Sequence, residues 1–252
     1  MIGHIAAREL RSLFLSPLAW AILAVVLFIL AFLFLSQLDL YMSYQSQLAM
    51  MESAPGVTEA VVAPLFSSAT IVLLLVSPLV TMRLISEERR NRTLPLLFSA
   101  PISMTEIVLG KYLGILGFFA ILLGLIVLMP LSLLLAGHLD FGLLSSGLLG
   151  LLLMLGAFAA AGLFMSTLTN HPTVAAVASF GLLLLLWVID WAGGMAKGEG
   201  SGVVFSYLSL QKHYQALLSG LFDSSDVVYY LLFIVTFLVL SIRRLDADRL
   251  QH

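Results

Sequence analysis

Six stretches of this chain are each apolar over the roughly 20 residues a helix needs to cross the hydrocarbon core of a bilayer. They lie at about 17–38, 64–85, 106–136, 143–168, 173–191 and 227–242, and the first contains no charged residue. Hydrophobic residues make up 61% of the 252 positions and charged ones only 10%, against roughly 25% charged in soluble domains. A water-facing shell cannot be built from so little polar surface, whereas lipid solvates apolar side chains directly. The runs are unbroken rather than alternating, which excludes a β-barrel. The expected fold is an all-α membrane protein of six transmembrane helices. The first run begins at Pro17 without a small-residue cleavage pattern behind it, so it reads as a retained helix rather than a signal peptide. The third run is long enough to tilt or break, with Pro130 the natural kink. The sixth is short, and Tyr229 and Tyr230 read as its interfacial anchor.

Basic residues are retained on the cytoplasmic side of a membrane. With the N-terminus inside, the inner segments hold Arg8, Arg11, Arg83, Arg89, Arg90, Arg92, Lys111, Arg243, Arg244 and Arg249. The outer ones hold only Lys197 and Lys212, and the reverse orientation would put the large group outside. Both termini are therefore expected to be cytoplasmic.

Residues 2–16 precede the first span as a separate unit. Ile2, Ile5, Ala6, Leu10, Leu13 and Phe14 share one helical face, opposite His4, Arg8, Arg11 and Ser12. Such a helix suits the membrane interface. Glu9 breaks the pattern by projecting from the middle of the apolar arc, where snorkelling or a nearby arginine would neutralise it. Two outer stretches are too long for turns: 39–63, and 193–226, which opens with glycines and turns amphipathic over 203–222. In the second, Phe205, Leu208 and Leu217 are expected to face inward as an outer cap, and Gln211 and Lys212 to face water. The links at 138–142 and 170–172 are short, so the third, fourth and fifth helices should be neighbours.

The loop at 86–105 carries the strongest functional pattern. Glu87, Glu88, Arg89, Arg90 and Arg92 cluster at its start, followed by Thr93, the apolar Leu94, Leu96, Leu97 and Phe98, and a Pro101-Ile102-Ser103 corner. Ser103 with Glu106 three residues on forms a capping box for the third span. Positive charge alone would suit any inner loop, but it explains neither the glutamates nor the apolar stripe. An amphipathic element presented to the cytoplasm needs a partner surface.

This loop resembles the ABC-2-type permeases, whose pattern runs acidic–acidic–basic–basic, Gly-Thr, Leu-Leu, Pro-x-Ser, Gly-Lys. Glu87-Glu88-Arg89-Arg90, Thr93, Leu96-Leu97, Pro101-Ile102-Ser103 and Gly110-Lys111 match it. The subgroup associated with gliding motility and copper-enzyme maturation looks closest. Arg92 stands where a glycine is usual, and Pro95 where a polar residue is common. Pro95 leaves open one continuous coupling helix or one that begins near Pro95 as its first turn. The resemblance implies an exporter-like assembly in a bacterial cytoplasmic (inner) membrane. Two six-helix subunits, identical or merely similar, would pair, each resting on a cytoplasmic ABC ATPase that binds ATP and magnesium. The ATPase would grip Glu87–Ser103, Arg8, Glu9 and Arg11 would lie on the bracing N-terminal helix, and the outer cap would close the exit. No nucleic-acid partner is expected.

The chain itself carries no nucleotide-binding loop: its only Gly-Lys is followed by Tyr112. It has no cysteine, and its histidines (His4, His138, His171, His213 and His252) lack ligand spacing, so neither a catalytic residue nor a metal is expected. His213 reads as a surface residue. An ion-coupled carrier or channel would place ionisable groups inside the membrane, yet mid-span positions have none and Asp190 sits between Trp187 and Trp191 at the outer belt. A non-transporting assembly scaffold would leave the loop unexplained. Small residues (Gly110 and Gly114; Gly147, Gly150, Gly156, Ala160 and Gly162) mark helix contacts within the subunit, between subunits or along a substrate path. The aromatic and aliphatic spans favour a hydrophobic or amphipathic cargo without naming it.

Overall fold

A computed structural model describes residues 1–48, 56–93, 102–135, 139–195, 209–220 and 222–250. Its elements are α1 (Ile2–Leu15), α2 (Pro17–Leu48), a π turn (Thr58–Val62) leading into α3 (Ala63–Thr81), and α4 (Ser86–Arg90). There follow α5 (Met104–Ser132) with a 3-10 turn (Leu133–Leu135), α6 (Phe141–Leu168), α7 (Pro172–Met195), α8 (Leu210–Leu218) and α9 (Ser224–Leu250). The described residues contain no strand, and six helices are long and apolar enough to cross a membrane. The all-α, six-span expectation therefore holds.

The span ends differ from the sequence reading in an instructive way. α2 runs on to Leu48, so 39–48 of the expected outer loop is helix, and α9 runs to Leu250 rather than stopping near 242. Hydropathy measures where lipid ends, whereas a helix ends where its backbone hydrogen bonds run out. The second span starts at the π turn and passes through Pro78, which has no N–H for the Leu74 carbonyl. The Ser77 hydroxyl approaches that carbonyl at 3.5 Å, and the Thr81 hydroxyl donates to Ser77 O at 2.9 Å. Pro130 lies inside α5, which ends two residues later in the 3-10 turn.

α6 is the most buried span and packs against α3, α5, α7, α8 and α9. Its small face permits this. A Cβ on Gly162 would stand 2.2 Å from Thr81 Oγ1, and one on Gly150 would stand 3.0 Å from the Tyr214 ring. Asp140 caps α6 by accepting from Gly142 N and Leu143 N, and its own N–H donates to Thr58 Oγ1 at 3.0 Å. The small-residue faces thus serve contacts inside one subunit.

α1 follows the expected amphipathic phase, with Ile2, Ile5, Ala6, Leu10, Leu13 and Phe14 half-buried and His4, Arg8, Arg11 and Ser12 exposed. Its apolar side lies along the first half of α5. The Gly110/Gly114 face of α5 receives it: a Cβ on Gly114 would come within 2.7 Å of Glu9 Cβ and 3.0 Å of the Ala6 carbonyl. No larger residue fits without displacing α1.

Candidate functional site

α1, α4, the start of α5 and the end of α9 meet on one side of the bundle, and ion pairs join them. Lys111, on the second turn of α5, is 2% exposed. Its ammonium donates to Glu9 Oε1 on α1 at 2.7 Å and to Glu88 Oε1 on α4 at 2.8 Å. Arg8 adds a 3.5 Å contact to Glu9. Arg89 pairs with Asp248 of α9, which Arg244 also approaches at 3.6 Å. The charged cluster at the head of the 86–105 loop therefore divides. Glu88 and Arg89 turn inward, while Glu87, Arg90, Arg92 and Thr93 remain exposed.

The backbone of this region is held from below. Ser166 Oγ on α6 accepts from Ile85 N and Ser86 N, both at 3.0 Å, and donates to Met82 O at 3.0 Å. That clamps the turn between α3 and α4. α4 then stops in a full C-cap motif: Arg92 N donates to Arg89 O at 3.1 Å and Thr93 N to Glu88 O at 3.0 Å. Arg92, at φ 56°, takes the left-handed conformation this motif demands. Glycine adopts it without a Cβ penalty, which gives a physical reason for the glycine usual at this place. A single helix continuing from Glu87 into the apolar stripe is thereby excluded. Arg92→Gly should keep the fold and, once relief of the left-handed penalty is set against the added freedom of the unfolded chain, shift stability by no more than about 1 kcal/mol. Thermal unfolding checks this, and a large loss would mean the Arg92 side chain holds the loop.

At the loop's far end the capping box is present. Ser103 Oγ accepts from Glu106 N at 3.2 Å, and Glu106 Oε2 accepts from Ser103 N at 3.1 Å. Both ends of the loop are thus anchored in helix-terminus chemistry. Leu96, Leu97, Phe98 and Pro101 lie outside the described residues, as do Phe205 and Leu208 of the expected outer cap.

On the opposite side, α8 lies on α6 and α9 through Leu210, His213, Tyr214 and Leu217, all buried. Tyr230 Oη donates to Leu210 O at 2.7 Å, and Ser146 Oγ donates to Leu217 O at 2.8 Å. His213 Nδ1 lies 2.5 Å from Asp226 Oδ1, and its ring stacks on Tyr229 at 4.1 Å. Two expectations are corrected here. His213 is not a surface histidine, and Tyr230, fully buried, is not an interfacial anchor. Lys212 is exposed as expected, but Gln211 is half-buried. Burial pushes the Tyr214 phenol well above its usual value. Asp223 accepts the Ser225 N–H, which lowers its carboxyl.

Glu9 is neutralised chiefly by Lys111 rather than by a neighbouring arginine. Sequence reasoning passed over Lys111, Asp248 and Ser166. Lys111 had a signal in the Gly-Lys pair, while Asp248 and Ser166 act across more than seventy residues of chain and left none. Chemically the cluster is a set of fastenings between an N-terminal helix, a loop and three spans. A family model described as "ABC-2 family transporter protein" matches residues 4–250. The search of curated proteins found no match.

Proposed function

The chain belongs to the ABC-2 transporter family, and on that premise we propose that it forms the membrane half of an exporter driven by a separate cytoplasmic ATPase. It is an integral membrane permease component of an ABC transporter, a component that is not itself catalytic. In our reading the ATPase binds the loop from Glu87 to Ser103 and holds the ATP and magnesium. A second permease subunit, identical or similar, completes the path. The distribution of basic residues supports both termini inside, and the family resemblance supports a bacterial inner membrane. The loop pattern supports placement near the gliding-motility and copper-enzyme-maturation subgroup. Phe205, Leu208 and Leu217 belong to an outer cap over the exit, Leu217 lying on the buried face of α8.

The observation that carries this reading is Lys111. It ties the N-terminal helix and the head of the loop to one span through two short ion pairs. A push on the loop is therefore delivered to α5 rather than absorbed by slack. Native mass spectrometry of the detergent-extracted complex should show two permease and two ATPase subunits. A strictly monomeric permease that still transports would contradict the assembly.

Orientation is tested separately, on a chain with no native cysteine to confuse the labelling. Single cysteines at Ser53 and Ser201 should react with an impermeant maleimide in intact cells, and those at Arg92 and Gln251 should not. External labelling at Arg92 would overturn the topology.

A further inference from the structure

A cleft of about 780 Å³ opens between α1, α2, α3, α4 and α5, close to the ion-pair cluster. It lies within the roughly 300–1,000 Å³ typical of small-molecule sites. Its lining combines two chemistries. Arg8, Arg83 and Glu87 form its polar part and are exposed, while Leu18 and Ile22 of α2 and Leu79 of α3 form its apolar part. Leu79 is 41% exposed although it lies in a span, so the apolar part is accessible from the lipid side. Trp20 stands in the same part of α2, 60% exposed, with its indole N–H donating to Phe14 O at 2.8 Å. That ring is placed as an interfacial tryptophan would be.

Charge in the polar part is separated and only partly paired, Arg8 lying 3.5 Å from Glu9. Lys111 lines the cleft but is spent on Glu9 and Glu88. Among the described residues, neither Arg83 nor Glu87 has an ion-pair partner. A ligand that satisfies this part carries an anion for the arginines and a cation for Glu87, and one that fills the apolar part carries a hydrocarbon chain. A free phosphate would leave the apolar wall unfilled. A fatty acid or a phospholipid with a glycerol headgroup would leave Glu87 unmatched.

We propose that this cleft binds one aminophospholipid of the surrounding leaflet, its phosphate on Arg83 and Arg8, its ammonium on Glu87, and an acyl chain along Leu18, Ile22 and Leu79. Paired guanidinium–phosphate hydrogen bonds are among the stronger contacts available at an interface. The lipid would wedge α1 against the spans that carry the loop. The site shares Glu87 with the ATPase coupling proposed above, but the crosslinking is read on the permease alone and the coupling on the copurified ATPase, so each can fail alone.

The test uses the full chain in nanodiscs of phosphatidylglycerol doped with phosphatidylethanolamine bearing a diazirine on one acyl chain. After photolysis, peptide mass spectrometry maps the crosslinks. Labelling should concentrate at residues 18–22 and 79–84, above that at the outward-facing Phe28 and Val177. Arg83→Glu should lower cleft labelling about tenfold, the loss expected for one charge-assisted contact, and leave Phe28 and Val177 unchanged. Glu87→Gln, a smaller perturbation, should erase the preference over a diazirine-bearing phosphatidylglycerol. Cleft labelling no higher than that of the exposed helices would overturn the proposal. So would equal labelling by the two headgroups in the unaltered chain.

Discussion

Lys111→Met should lower the stability of the permease by about 3–5 kcal/mol, the cost of removing one partner from a buried ion pair. Methionine matches the lysine stem in length, so packing against α1 is kept and the charge alone is lost. Glu9 would then keep only its 3.5 Å contact to Arg8 and Glu88 would lose its ion-pair partner, at side-chain exposures of only 16% and 21%. Residual exposure puts the effect at the lower end, a fall in thermal midpoint of roughly 10 °C in detergent. Adding Glu9→Gln and Glu88→Gln should recover most of the loss, because a neutral trio has no charge left stranded. Proteolysis should cut α1 faster in the single variant than in the triple one. If Lys111→Met unfolds at the wild-type temperature, the cluster is not what fastens α1 and the loop to α5.

Glu9 shows how far sequence reading reached. Periodicity marked the carboxylate as out of place in an otherwise apolar helical arc and left open whether it snorkels or meets an arginine. Which cation was beyond it, because periodicity assigns faces and not partners, and Lys111 is 102 positions away along the chain. The spans were legible for the opposite reason, since each is a local property of about 20 residues. Their ends were not, and α2 and α9 both continue as helix past the apolar run. His213 was legible but misread. It shares the phase of Leu210, Tyr214 and Leu217, a pattern that places it on the buried face of α8. Arg92 stood out only by comparison with the family's glycine, and its positive φ supplies the reason.

The split of the charged cluster refines what the coupling loop is expected to do. Glu88 is committed to Lys111, so its removal should act on the permease's own stability. Glu87 faces outward and is free to meet a partner. Exposed ion pairs contribute only about 0–1 kcal/mol, so Glu87→Ala should leave an assembled complex with less transport per ATP hydrolysed.

Affinity should come instead from the apolar stripe, since burying a leucine or phenylalanine is worth about 1.5–3 kcal/mol each. Leu97→Ser with Phe98→Ser would forfeit both, about 3–6 kcal/mol together and at least a hundredfold in affinity. The variant should still insert, keep its six spans and retain the Lys111 cluster, because both residues fall between the second and third apolar runs of the sequence. The decisive measurement is the ratio of ATPase to permease when a tagged permease is purified from membranes. The coupling account predicts that the ATPase is lost from the double variant while the yield of folded permease is unchanged. Recovery of the ATPase at the wild-type ratio, with normal transport, would show that this loop is not where the two proteins meet.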